Sequence, residues 1–189
     1  MDNHTPDITA LLYRLTCNSD EASYRQLFDL FFPSLKRFAV TFVKDARQAE
    51  EIASDVLIVL WENRHKLAGI ENLRIYLFVV ARNKCLNLLK SRLANPVISL
   101  EDIQVDIAFT GKNPEQLYIN TEMRRKIAQT INALPQRCKL VFKLVKEESL
   151  SYREVAAILN ISVKTVDAQL VTACKKIAEA VKLVYASAY

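Results

Sequence analysis

Apolar residues recur at helical spacing along most of this chain, and polar residues fill the positions between them. The first such stretch begins near Ile8 and runs past Leu15. A second covers about Glu21 to Val43, with Tyr24, Leu27, Phe28, Phe31 and Phe32 ahead of Pro33, and Leu35, Phe38 and Phe42 after it. Proline suits the first turn of a helix and disrupts the interior, so Pro33 predicts a break and a new helix start. A third helix is expected over about Ala46 to Asn63, with Ile52, Val56, Val59 and Leu60 on one face. A fourth spans about Leu73 to Arg92. Short connections between these stretches make a compact helical bundle the economical packing.

The pattern lapses from about Ala94 to Pro114, where Pro96, Gly111, Pro114 and the acids Glu101, Asp102 and Asp106 fall. That composition reads as a linker. Helical spacing resumes at Glu115 and continues to Leu134, Pro135 opens a helix over about Gln136–Lys146, and further helical segments follow. The expected fold is therefore all-α: two small helical domains, 8–93 and 115–186, joined by a flexible acidic linker over 94–114. The whole chain of 189 residues holds only two glycines, which argues against a turn-rich β fold.

The segment Ser151–Lys176, SYREVAAILNISVKTVDAQLVTACKK, has the spacing of a helix-turn-helix. Ser151 and Glu154 form a capping box before an apolar run. Ala156 is small enough for two helices to cross closely, and Asn160 tolerates the left-handed conformation of the turn. Ser162 can cap the second helix, whose buried stripe would be Val166, Leu170, Ala173 and Ile177. Lys164, Thr165, Gln169 and Thr172 lie off that stripe, where polar side chains suit base edges and lysines suit phosphates. A helical hairpin with a merely solvated face is the competing reading.

Charge supports nucleic acid as the partner. The net charge is +5, and residues 115–189 carry 12 Lys+Arg against seven Asp+Glu. A second basic stretch, LRIYLFVVARNKCLNLLKSR, carries Arg74, Arg82, Lys84, Lys90 and Arg92 with no acid. Asn83 and Asn87 share a helix face there, and Tyr76 and Phe78 lie close by. Cations, amides and aromatics together suit single strands, whose exposed bases stack while phosphates need neutralising. A buried amphipathic helix with a solvated basic face fits the same residues. Ahead of it, Glu50, Glu51, Asp55 and Glu62 decorate the helix that carries Trp61. An acidic strip beside an exposed apolar residue can dock on a basic surface.

Other chemistries find little support. Cys17, Cys85, Cys138 and Cys174 are scattered, and His4 and His65 stand alone, so neither a metal site nor a cofactor is expected. No carboxylate pair comes with a base or nucleophile, so no catalytic residue is expected. No apolar run reaches the ~18 residues of a membrane span, and scattered thiols without a signal peptide suit the cytoplasm.

Taken in order, these segments resemble a bacterial sigma factor of the extracytoplasmic-function (group IV) type. AEEIASDVLIVLWENRHKL at 49–67 is similar to the family's region 2.2, NLRIYLFVVARNKCLNLLKSR at 72–92 to regions 2.3 and 2.4, and LPQRCKLVFKLVKEESLSYREVAAILNISVKTVDAQL at 134–170 to region 4. The phrase YLFVVARNKCLN is similar to Bacteroidetes members. The resemblance implies that Glu51, Asp55 and Trp61 dock on core RNA polymerase. It implies that Arg82, Asn83, Asn87 and Lys90 hold the melted −10 element. It implies that Ser162, Lys164, Thr165 and Gln169 read the −35 duplex, with Arg153 and Lys175 on its phosphates. It also implies an anti-sigma factor as a further partner. Ser54, Leu57 and Tyr76 stand where the family more often has Gln, Phe and Trp. Two other readings compete: a stand-alone helix-turn-helix regulator, and a helical DNA-processing enzyme using Glu50, Glu51 and Asp55 as metal ligands.

Overall fold

The computed structural model describes residues 7–92 and 121–187. The tail before Asp7, the expected linker with Glu101, Asp102 and Asp106, and the expected helix start at Glu115 lie outside the described residues. Among those described there are α-helices and one short 3-10 turn, with no strand. The chain divides into two compact units, Met1–Pro96 and Val97–Tyr189. Among the described residues no single helix is long and apolar enough to cross a membrane.

The first unit is built from α1 (Ile8–Asn18), α2 (Glu21–Val43), α3 (Ala46–Glu62), the 3-10 turn Arg64–Lys66 and α4 (Leu73–Arg92). An aspartate caps each of the first three helices: Asp7, Asp20 and Asp45 accept backbone N–H bonds from the first turn. The long helix α2 is the centre and packs on α1, α3 and α4. Leu11, Leu15, Leu27, Leu35, Phe38, Leu57, Leu60, Leu77 and Phe78 are fully buried.

Pro33 does not break the chain as its position suggests. It sits inside a continuous α2 of 23 residues. A proline there removes one ladder bond, at a cost of about 3 kcal/mol in an isolated helix. Tertiary packing offsets that cost. Phe31, Leu35 and Phe38 face the core on both sides of the proline, Phe28 stacks on Phe32 at 5.1 Å, and Pro33 itself is exposed.

The second unit contains α5 (Thr121–Asn132), α6 (Gln136–Lys146), α7 (Tyr152–Leu159) and α8 (Val163–Ser187). Helices α5, α6 and α7 all pack on α8. Val141, Leu144, Val155, Ile158, Val166, Leu170 and Ala173 form the core between α6, α7 and α8.

The chain is poor in glycine, and its helices end without it. Ser19, Lys44, Ser149 and Asn160 all adopt positive φ, and the Ser19, Lys44 and Asn160 backbones close α1, α2 and α7. Left-handed backbone costs a non-glycine residue roughly 1–2 kcal/mol, least for asparagine.

Candidate nucleic-acid interfaces

In the second unit, the turn between α7 and α8 sets the geometry. The capping box forms in full: Ser151 N donates to Glu154 Oε2 at 2.8 Å, and Glu154 N donates to Ser151 Oγ at 3.3 Å. Asn160 ends α7 at φ 55° and ψ 51°. The Ile161 N–H returns to the Ala156 carbonyl at 3.0 Å, so the chain reverses within one turn. Ser162 then caps α8, accepting from Thr165 N at 3.0 Å. The two helices cross at 109°, an angle typical of a helix-turn-helix. Ala156 and Val166 are buried at the crossing.

This crossing leaves one face of α8 outside. Lys164, Asp167, Ala168, Val171, Thr172 and Lys175 are exposed there, and Arg153 is exposed on α7. Not every polar residue expected on that face stands on it. The Ser162 hydroxyl is committed to the cap and to Thr165 Oγ1, 2.7 Å away. Gln169 turns toward α6, half-buried, with Oε1 accepting from the Cys138 thiol at 2.7 Å. Four residues beyond Thr165, it lies on the inner edge of the helix, where an apolar cleft lined by Leu140, Val141 and Leu159 receives it. Asp167, an exposed acid between Lys164 and Val171, is the feature of this face that the sequence reading passed over. Its position five residues after the Ser162 cap was the available signal.

In the first unit, α4 carries the second basic constellation. Arg82 is half-buried, and burial lowers the pKa of its guanidinium below the ordinary arginine value. It forks onto its neighbour, with Nε and Nη2 donating to Asn83 Oδ1 at 3.2 and 2.9 Å. Asn83, Asn87 and Lys90 are exposed. The two aromatics separate: Phe78 is a core residue packed edge-on against Phe38 at 5.1 Å, while Tyr76 is half-buried. Only Tyr76 of the pair has surface for a base to touch.

The acidic helix α3 differs from expectation in one respect. Glu51 and Asp55 line an open groove shared with α4, opposite Lys84 and Asn87. Trp61 is not the exposed apolar neighbour of that strip. It is half-buried beside Tyr24, with ring centroids 5.1 Å apart, and Arg64 caps its ring at 4.3 Å. The exposed apolar residue is Ile58, at 49%. It shares the outer face with Glu51, Asp55 and Glu62 because those positions fall within one helical stripe.

Three carboxylates of α3 are turned to a cation. Glu50 meets Lys36 at 2.6 Å, Glu51 meets Arg47 at 3.5 Å and Asp55 meets Lys84 at 2.9 Å. They diverge rather than converge, and among the described residues no group of three metal-ligating side chains is present. That geometry disfavours the metal-dependent enzyme reading.

Comparison with known proteins agrees with this division. Residues 27–93 match the family model described as "Sigma-70 region 2", and residues 124–177 match "Sigma-70, region 4". The chain is 26% identical over 170 residues to the ECF RNA polymerase sigma factor RpoE of Cereibacter sphaeroides, covering 87% of this chain and 89% of that protein. It is 27% identical to the RNA polymerase sigma-H factor of Pseudomonas aeruginosa, covering 76% and 78%. Among solved structures, CnrH in complex with the cytosolic domain of CnrY is similar in fold, with a TM-score of 0.61 and 19% identity over 94% of this chain and 99% of that one.

Proposed function

The chain belongs to the sigma-70 family and is a sigma factor of the extracytoplasmic-function type, and on that premise we propose how its residues divide the work of promoter recognition. A sigma factor directs core RNA polymerase to promoters and assists melting by binding, so the chain is not an enzyme. The stand-alone regulator is not favoured, because region 2 precedes region 4 in the same chain.

Residues 8–93 are assigned to polymerase docking and −10 capture, 94–114 to the connection, and 115–186 to −35 recognition. The docking face is Glu51 and Asp55 with Ile58 and Glu62 beside them, and Trp61 supports it from the flank. An acidic rim with an exposed aliphatic centre suits a basic partner surface, since charge steers the encounter while apolar burial holds it. Asn83, Asn87 and Lys90, with Arg82 orienting Asn83, offer the amide and cationic contacts that displaced bases and phosphates require. Lys164 faces the −35 duplex with half-buried Thr165 at the inner edge of that face, Arg153 and Lys175 flank it for phosphates, and Ser162 contributes through its cap.

Each unit alone makes few contacts with DNA, so free affinity is weak and strongly dependent on salt. Bound to polymerase, both units are held together and two weak sites act as one. The place of action is the cytoplasm, where polymerase and promoter are found. An anti-sigma factor is a natural further partner, as one structure of similar fold is a Bartonella quintana sigma factor in complex with the anti-sigma factor NepR.

The observation that carries this reading is the capped α7–α8 crossing in the same chain as the acidic α3 and basic α4. In a transcription assay, the protein with core polymerase starts RNA synthesis at a −35/−10 promoter, and neither component does so alone. Absence of a complex with core polymerase would overturn the reading.

A further inference from the structure

The Asp55 carboxylate on α3 and the Lys84 ammonium on α4 form an ion pair at 2.9 Å, with side chains 55% and 32% exposed. The pair bridges the groove between the two helices, whose walls also carry Gln48, Glu51, Asn87 and Leu88. Two functions meet at this pair. Asp55 stands on the face proposed to dock on polymerase. Lys84 stands three residues before Asn87 on the strand-binding helix, close enough in a helix for the two side chains to be neighbours.

A lysine held against a carboxylate offers little net charge to a phosphate. An exposed pair is also weak, worth at most about fivefold in an equilibrium constant, so a competing charge on either side can exchange it. The neighbouring acids behave differently. Glu51 is paired with Arg47 on its own helix and Glu50 with Lys36 on α2, so freeing either releases a cation away from α4.

We infer that Lys84 is a further strand-binding residue, neutralised by Asp55 in the free chain and released to a DNA phosphate when Asp55 turns to a basic polymerase surface. This rests on the docking role proposed for Asp55. It makes docking and strand capture cooperative through one exchanged ion pair. The free protein thereby keeps a low affinity for nucleic acid, and the same lysine adds a contact once the polymerase is in place.

The test is binding of the full chain, without polymerase, to a short labelled single-stranded oligonucleotide across a salt series. Asp55→Asn is expected to bind about threefold more tightly. It should also steepen the slope of log K against log salt by about 0.7, the value for one added phosphate contact on a single strand. In a Lys84→Met background, Asp55→Asn should leave the slope unchanged. A slope that steepens equally with and without Lys84, or in neither, would overturn the inference. Binding to core polymerase separates the two layers. Lys84→Met should tighten it by freeing Asp55, and Asp55→Asn should weaken it. If Asp55→Asn leaves polymerase affinity untouched, the docking role of Asp55 falls and release by polymerase falls with it, whatever the oligonucleotide shows.

Discussion

The thiol of Cys138 on α6 donates to the side-chain carbonyl of Gln169 on α8 across 2.7 Å, and this contact decides which way the glutamine faces. Cys138 is buried, and burial raises its thiol pKa, so it remains a protonated donor at neutral pH. Gln169 is therefore tied into the packing of the helix-turn-helix rather than presented freely. Gln169→Ala is expected to lower the stability of the second unit by about 0.5–1.5 kcal/mol. The selected −35 sequence profile should change less than in Lys164→Ala. Hydrogen exchange of α8 amides and binding selection on randomised duplexes measure the two. Equal changes in profile would return Gln169 to the groove.

Lys164 and Asp167 present opposite charges one turn apart on the exposed face of α8. A carboxylate there repels phosphate and can accept from the cytosine amino group in the major groove. Asp167→Ala is expected to strengthen binding to random duplex and to lose discrimination at one base pair by ~1–3 kcal/mol. Lys164→Ala should weaken binding instead. If Asp167→Ala leaves the base profile flat and unchanged, Asp167 is a solvated bystander.

Much of this was legible in the sequence because local rules and tertiary packing agree. Ser151, Glu154, Asn160 and Ser162 each perform the local role that their types and spacing announce: capping box, left-handed turn and second cap. The misses come where a distant partner decides. Nothing near Gln169 in sequence announces Cys138, 31 residues away. Nothing near Trp61 announces Tyr24, which covers its ring and sends the exposed apolar role to Ile58. The sequence of α4 offers Phe78 as an aromatic near the basic residues, and only its edge-on packing against Phe38 shows that it is a core residue and no platform. Periodicity identifies the face, and the partner on the other helix determines what the face can do.

Pro33 offers a direct measure of how far packing overrides propensity. It is exposed within α2, so replacing its ring leaves no cavity. Pro33→Ala restores a backbone donor and helix propensity but also frees the unfolded chain. The net expectation is a stabilisation of about 2 kcal/mol. Trp61 is the single tryptophan and lies in the same unit, so its fluorescence during urea unfolding reports that unit. A lower midpoint would mean that the proline is itself required by the aromatic packing around it.

Asp20 links stability to acid. Its carboxylate accepts from the Ser23 hydroxyl, and also from the Ser23 and Ala22 amides at 3.1 and 3.3 Å. The Ser23 hydroxyl bond is the main cause of a pKa below the ordinary 3.8, with the amide bonds and Arg14 adding to it against a desolvation effect of opposite sign. A carboxylate with a lowered folded pKa stabilises fully above the unfolded value, and the contribution disappears as pH falls through the folded value. Asp20→Asn keeps a capping oxygen and loses the charge. The stability gap between wild type and Asp20→Asn should therefore be open at neutral pH and close below pH 3.8. A gap constant across that range, by Trp61 fluorescence, would show that the cap and not the charge is what matters.

Lys44 and Asn160 hold the same left-handed conformation, at φ 58° and 55°, with different side chains. Asparagine tolerates that conformation better than other residues with a β-carbon, lysine included. Both are exposed, so a smaller side chain opens no cavity. Lys44→Gly is accordingly expected to stabilise the first unit by about 1 kcal/mol, and Asn160→Gly the second by a few tenths. Asn160→Ala should cost about 1 kcal/mol, because alanine keeps the β-carbon and tolerates the left-handed conformation less well than asparagine. It should also weaken −35 binding, since the α7–α8 crossing depends on this turn. Unfolding midpoints of the three variants rank the strains. If Asn160→Ala binds duplex as wild type does, the crossing is set by the buried residues of α7 and α8, Ala156 and Val166 among them, and the turn merely follows it.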